Sequence, residues 1–435
     1  MDKKVVENKI RRSVKQVHDR NQKRLDKKTT SFISLRIQYN LSIRNQKTNE
    51  EFQISDIENY MDESPVALIG GPGAGKSTLL LKMAVQLSEK NLDNCAAMIP
   101  IYVQCGLLSS YDRLEDEIHL SGYSEEEKKY LWENGKLCLL FDGINEAVNV
   151  EMGKLLRDVV NLSEEYPECR YVINCRAIEF PIWASSYFEP YSILPVKDEQ
   201  IRTQFCKEFG DVTGEKYYTE LINSSHNYLF ELCKNPLLLS LVIRIISQSM
   251  DSIEEFSFSQ IKGKGDIYRE FCRSLIQHEL KKIKRERESY FEIIRDRLFT
   301  TLAYYMQANN KVYISREEME VVIRNMPYGK GRETDYIKFI SSSSSGEKSL
   351  WYREIAEDVI KSSFFNLHLL ETKESVYISF IHQSFQEFYA GKYMAGNNTV
   401  HDKKYVEYLL TMHNRRNWDS IEFSCSLDPT NTIIK

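Results

Sequence analysis

The chain has 435 residues, 42% of them hydrophobic and 28% charged, and a net charge of −5, which is room for two to four globular domains with sizeable cores. No apolar run reaches the roughly 18 residues that span a bilayer, and the charged N-terminus lacks an apolar signal core, so membrane-spanning and secreted classes are set aside. Nine cysteines without a C-x-x-C pair, and eight histidines out of ligand spacing with them, point to reduced thiols in a cytoplasm and against a disulfide framework or a zinc site.

Residues 1–28 hold eleven Lys/Arg against four Asp/Glu, a net +7, which leaves −12 for the rest. Val6, Ile10, Val14 and Val17 recur at helical spacing, so residues 1–30 are expected to form a basic amphipathic helix. Such a helix either packs on its own domain, the favoured reading, or touches nucleic acid, an acidic membrane or a partner protein. "SFISLRIQYNLSI" (31–43) reads as a strand, followed by a polar connection and the short segment "ISDIENYM". "PVALIGG" is an apolar strand running into a glycine loop, "STLLLKMAVQL" a helix, and "AAMIPIYVQC", "KLCLLFDG" and "RYVINCR" further strands separated by helical sequence. Near-continuous apolar strands alternating with helices predict an α/β fold, a parallel sheet with helices on both faces, over residues 31–195.

From residue 196 the strand signals stop. A helical domain is expected to about 335, broken at Asn235-Pro236 and at "KGKGD" (262–266). Five serines, Ser341–Ser345, read as a surface loop or hinge. "LWYREIAEDVIKSSFF" reads as a helix, "NLHLLETKESVYISFIH" as a hairpin and "SFQEFYAGKYMA" as a helix, the shape of a winged-helix domain over 336–400, with a further helical segment at 401–435.

The chemistry concentrates in three places. Gly70, Gly75, Lys76 and Ser77 fit G-x-x-x-x-G-K-[ST] between a strand and a helix, the context in which that motif binds phosphate. Gly70, Gly71, Pro72, Gly73, Ala74, Gly75, Lys76, Ser77 and Thr78 are therefore expected to cradle a nucleotide. In such a loop successive N–H groups face the phosphates, the lysine supplies a point charge and the serine hydroxyl binds Mg2+. In "LCLLFDGINEA", Asp142 at the end of an apolar strand would orient Mg2+ and Glu146 would polarise the attacking water; the plainer readings are a helix cap and a surface carboxylate. Arg176, ending "YVINCR", would sense a γ-phosphate or make a rim salt bridge.

"GGPGAGKSTLL", "LLFDGINEA" and "INCR", in that order, resemble the NACHT family of signal-transducing NTPases of the STAND class. "CKNPLLLSLV" is similar to the family's helical-domain motif and "FIHQSFQEFYAGKYM" to the winged-helix end of NOD-like receptor ATPase modules, so the resemblance spans residues 31–400. It implies an α/β P-loop NTPase followed by a helical and a winged-helix domain. It also implies that Pro236 contacts adenine and His382 reaches the β-phosphate of bound ADP, with ATP/ADP and Mg2+ as cofactors. The function implied is a slow ATPase acting as a switch, closed with ADP and self-associating with ATP, in innate immunity, or antiviral (antiphage) defence in a bacterium. Many family members carry an acidic residue where Asn145 stands, a departure that leaves Glu146 to activate water. Effector and repeat-rich sensor modules are expected to be minimal, absent or supplied by another polypeptide. The alternative is a steadily cycling AAA+ or helicase-like ATPase acting on nucleic acid or protein, whose one support is the basic N-terminal helix.

Overall fold

A computed structural model describes residues 3–30, 42–53, 65–91, 98–147, 149–223, 227–250, 257–280, 285–324, 370–373, 377–396 and 418–427. Two compact units are present: Met1–Tyr218 with Glu231–Ser240, and Thr219–Phe230 with Leu241–Lys435.

The first unit is built on a seven-stranded sheet. Its strands are β1 (Ser42–Asn45), β2 (Glu51–Gln53), β3 (Val66–Gly70), β4 (Ile99–Gln104), β5 (Leu137–Asp142), β6 (Arg170–Arg176) and β7 (Glu189–Ile193), in the order β2-β1-β7-β3-β6-β5-β4. The five strands from β7 to β4 are parallel, while β1 and β2 add an antiparallel edge. All five residues of β3 are buried, and its alternation feeds two cores. Val66 and Leu68 join Leu79, Leu80 and Met83 of α2 (Lys76–Asn91) on one face. Ala67 and Ile69 join Leu155, Leu156 and Val159 of α4 (Met152–Glu165) on the other. Helices therefore cover both faces, which is why the strands read as unbroken apolar runs.

The basic helix α1 (Lys3–Thr30) packs on this unit, burying Val6, Ile10 and Val14 in the core that α4 also serves. It lies against α2 and the edge strand β4. Each buried aliphatic contributes about 2 kcal/mol, whereas the Lys9–Glu127 pair (2.7 Å) to α3 (Glu125–Glu133) is screened by solvent and adds little. Packing, not charge, holds α1 in place.

The antiparallel edge was not expected from the sequence. β1 begins only at Ser42, and the earlier part of the expected 31–43 strand lies outside the described residues, as does "ISDIENYM". The turn after β1 is made by Asn45, whose Oδ1 accepts the N–H groups of Lys47 (2.7 Å) and Thr48 (3.1 Å).

After β7 the chain is helical: α5 (Asp198–Phe209), α6 (Asp211–Asn223), α7 (Asn227–Cys233), α8 (Pro236–Met250), α9 (Lys264–Leu280), α10 (Arg285–Ala308) and α11 (Arg316–Arg324), interrupted by the two-residue strand β8 (Ile314–Ser315). In the second unit β8 joins β9 (Leu370–Lys373) and β10 (Tyr377–Phe380) in an antiparallel sheet ordered β8-β10-β9. The helix Gln383–Gly396 follows and packs on α10 and on the helix Trp418–Leu427. Tyr268, Phe385, Phe388 and Phe423 form its aromatic core, with ring centroids 5.0–5.6 Å apart. The expected helix at "LWYREIAEDVIKSSFF" and the serine run lie outside the described residues. No described helix is long and apolar enough to cross a membrane.

Candidate nucleotide site

Parallel order puts the carboxyl ends of β3, β4, β5 and β6 side by side, the position at which open α/β sheets bind ligands. Gly70, the last residue of β3, stands in register with Arg176, the last residue of β6; Gln104 stands in register with Asp142. The sequence-predicted Gly70–Thr78 loop, Asp142, Glu146 and Arg176 thus fall on neighbouring strand ends.

The loop between β3 and α2 turns through left-handed backbone at Gly73 (φ 74°) and Gly75 (φ 93°). Lys76, Ser77 and Thr78 open the first turn of α2, whose N–H groups and dipole favour an anion. Lys76 Nζ donates to the carbonyls of Gly70 and Gly71, at 2.9 Å each. Burial, and then the nearby Arg176 guanidinium, depress its pKa to about 8 against the opposing pull of Glu146, Cys175 and Asp142. Burial thus disfavours the ammonium, a cost that an anionic ligand in the loop would offset. Arg176 is only 5% exposed. The neighbouring thiols are not a source of anions, since burial pushes Cys175 up to about 12 and holds Cys105 well above its ordinary range.

Asp142 ends β5 and is held at both oxygens. Asn174 Nδ2 donates to Oδ1 (2.5 Å), and the Tyr102 hydroxyl donates to Oδ2. Asn174 also accepts the Gly143 N–H through its own Oδ1 (2.6 Å), so one amide fixes both the carboxylate and the turn after it. That turn, Ile144–Glu146, begins at Gly143 in the left-handed region (φ 72°), where a Cβ would lie 2.7 Å from Glu146 Cδ. Glycine is required there for Glu146 to fold back beside Asp142. Asn145 is buried, and its Nδ2 meets no hydrogen-bond partner among the described residues.

Pro236 is the first residue of α8 and sits beside the loop. Asn235 caps the helix, its Oδ1 accepting from Leu237 N (3.0 Å) and Leu238 N (3.2 Å), while its Nδ2 donates to the Pro72 carbonyl (2.8 Å). Leu237 N also reaches the Gly73 carbonyl (3.3 Å). A Cβ on Gly73 would fall 2.7 Å from Asn235 Oδ1, so the approach is closed to any larger residue.

His382 belongs to the second unit. Its Nδ1 accepts the backbone N–H of Ser384 (3.1 Å) and lies 2.6 Å from Ser384 Oγ, which in turn accepts the hydroxyl of buried Tyr268 (2.7 Å). Nδ1 is thus an acceptor, and in the neutral ring the proton resides on Nε2.

The donor set fits a magnesium nucleotide. Asp142 supplies a carboxylate at the end of β5, Ser77 stands in the first turn of α2, and a Cβ on Gly71 would meet nothing within 4 Å, leaving room beside the loop. Tyr102, Asn174 and Asn235 were not singled out as site residues from sequence. Asn174 carried the clearest signal, a polar side chain inside an otherwise apolar strand. Asn235-Pro236 carried another, a cap followed by a first-turn proline.

Residues 64–211 match the model of the NACHT domain family. No curated protein sequence matches the chain. Among solved structures, Cdc6p from Pyrobaculum aerophilum is 14% identical over 78% of this chain and 90% of its own, with a TM-score of 0.30. A STAND protein with a tetratricopeptide repeat sensor from Pyrococcus horikoshii is 13% identical over 86% of this chain and 47% of its own, with a TM-score of 0.37. A Walker-type ATPase of Pyrococcus abyssi is 14% identical over 77% of this chain and 93% of its own, with a TM-score of 0.30. The phosphate loop and the strand-end carboxylate both lie in the segment, residues 64–211, that matches the NACHT domain family, and the parallel sheet around them has the P-loop NTPase fold.

Proposed function

We propose that this chain is a nucleotide-controlled switch that binds ATP, hydrolyses it slowly and is held closed by ADP. The observation that supports it most is the junction at Gly73. There the phosphate loop and the first turn of α8 share two hydrogen bonds, so a ligand seated in the loop bears directly on that helix. A ligand that contacts several elements at once shifts the equilibrium between their arrangements.

In this reading the N–H groups of Gly71–Thr78 and Lys76 hold the phosphates, Pro236 packs on adenine, and His382 donates from Nε2 to the β-phosphate of ADP. Ser77 and Asp142 would hold Mg2+, which when bound neutralises charge on the phosphate oxygens. Glu146 orients the attacking water and takes its proton, Asn145 being unable to act as a base. Arg176 reads the γ-phosphate. The winged-helix assignment of 336–400, self-association with ATP, a cytoplasmic location and a role in innate immunity, antiphage if the host is bacterial, belong to the same proposal. They come from the family resemblance.

The test is to purify the protein without added nucleotide, denature it and identify what is released by chromatography. Near-stoichiometric ADP from wild type, and none from Lys76→Ala, is expected. An empty site with rapid ATP turnover stimulated by nucleic acid or protein would overturn the switch in favour of a steadily cycling ATPase.

A further inference from the structure

α1 lies outside the residues that match the NACHT family, yet it reaches the phosphate site through a short chain of contacts. Arg24, near the C-terminal end of α1, holds its guanidinium over the Tyr102 ring, 5.5 Å from the centroid. Tyr102 sits in β4, where its backbone is in register with Leu140. Asp142 lies two residues further along β5, and so on the same face of the sheet as Leu140. From there the Tyr102 hydroxyl donates to Asp142 Oδ2. The opposite carboxylate oxygen is held by Asn174, so the plane of the carboxylate is set by one donor on each side.

We propose that Tyr102 is a positioning residue for the Asp142 carboxylate, and that α1 acts on the phosphate site through Arg24 and the Tyr102 ring. This rests on the reading of Asp142 as the carboxylate that would hold Mg2+. A carboxylate free to rotate presents its lone pairs to a cation only part of the time, and removing the hydroxyl restores that freedom. Displacing α1, by a partner or by a change in the segment that follows it, withdraws Arg24 and lets the tyrosine ring shift. The N-terminal helix then tunes how strongly the site retains Mg2+ and the nucleotide bound with it, without touching either. Asn174 is the less informative position to change, because its amide also holds the Gly143 turn.

The experiment titrates Mg2+ into the full chain with a fluorescent ADP analogue and compares binding with that in chelator. Tyr102→Phe keeps the ring and removes only the donor. It is expected to raise the half-maximal Mg2+ concentration about ten-fold, the lower end for a hydrogen bond to a charged group, with metal-free binding unchanged. Arg24→Ala is expected to shift it the same way by about two-fold, and the double variant to match Tyr102→Phe alone. Asp142→Asn serves as the reference and should abolish the Mg2+ dependence. If Asp142→Asn leaves that dependence intact, the assignment of Asp142 fails and the proposal with it. If Asp142→Asn abolishes it while Tyr102→Phe shifts nothing, the positioning role alone is overturned. Effects of Arg24→Ala and Tyr102→Phe that multiply would overturn the link through α1.

Discussion

Asn235 does two jobs with one amide, and the two can be separated. Its oxygen caps α8 and its nitrogen holds the phosphate loop at the Pro72 carbonyl. Asn235→Ala removes both. Loss of a cap costs about 1 kcal/mol, and loss of one neutral hydrogen bond about 1 kcal/mol, so the variant should be destabilised by roughly 2 kcal/mol. At about 2–4 °C per kcal/mol for a unit of this size, the transition that melts the sheet should fall by roughly 4–8 °C. Asn235→Asp keeps the cap but cannot donate, and it should lose about half as much. The assay is thermal unfolding by circular dichroism, with nucleotide affinity measured alongside. Both variants should bind nucleotide more weakly, since the loop has lost a tether. An aspartate variant as stable as wild type would refute the loop contact; one as damaged as alanine would refute the cap.

Other perturbations report on the site directly. Lys76 has a folded pKa depressed to about 8 by burial, and bound phosphates should raise it. Between roughly pH 8 and 10 nucleotide binding should therefore take up protons and weaken as pH rises, which calorimetry in buffers of different ionisation enthalpy measures; binding without proton uptake over that range would show that Lys76 is already fully charged before the phosphates arrive. Glu146→Gln should preserve binding and slow hydrolysis by roughly 10²–10⁴-fold, the usual range for a general base. Gly143→Ala would drive a methyl into Glu146 and should slow hydrolysis as well, without adding to Glu146→Gln; additive losses in single-turnover assays would show separate roles. Ser384→Ala breaks the Tyr268–Ser384–His382 chain but keeps the backbone N–H on Nδ1, so nitrogen chemical shifts of His382 should still report the Nε2–H tautomer while ADP release quickens; unchanged ADP release would leave the chain without a role.

Where a segment is both apolar and long, its structure was readable in advance. β3, β5 and β6 sit where their buried runs place them, because a strand covered on both faces has no polar positions to confuse the period. β7 was missed because Pro190 and Glu189 interrupt a five-residue segment, and proline demotes a strand in any local reading. β1 and β2 are four and three residues long, too short for a period to register. The loop residues and Asp142 declared themselves by motif. Tyr102 did not, since its role comes from strand order, which brings β4 beside β5 and is invisible from within "IPIYVQC". The two faces of Asn235 were equally hidden, because its second partner lies 163 residues away in the chain.

The border of the family match and the border of the folded sheet do not coincide. The match begins at residue 64, whereas the sheet begins at Ser42 and the core that supports it at Val6. A fragment cut at the match would strip β7 of its neighbour and remove α1 from beside β4, baring unpaired backbone at both margins of one parallel sheet. Such a piece should self-associate edge to edge and precipitate, and a clumped preparation would imitate the assembly expected of an activated switch. Biochemistry on the nucleotide site is therefore best read from protein that retains the first 63 residues.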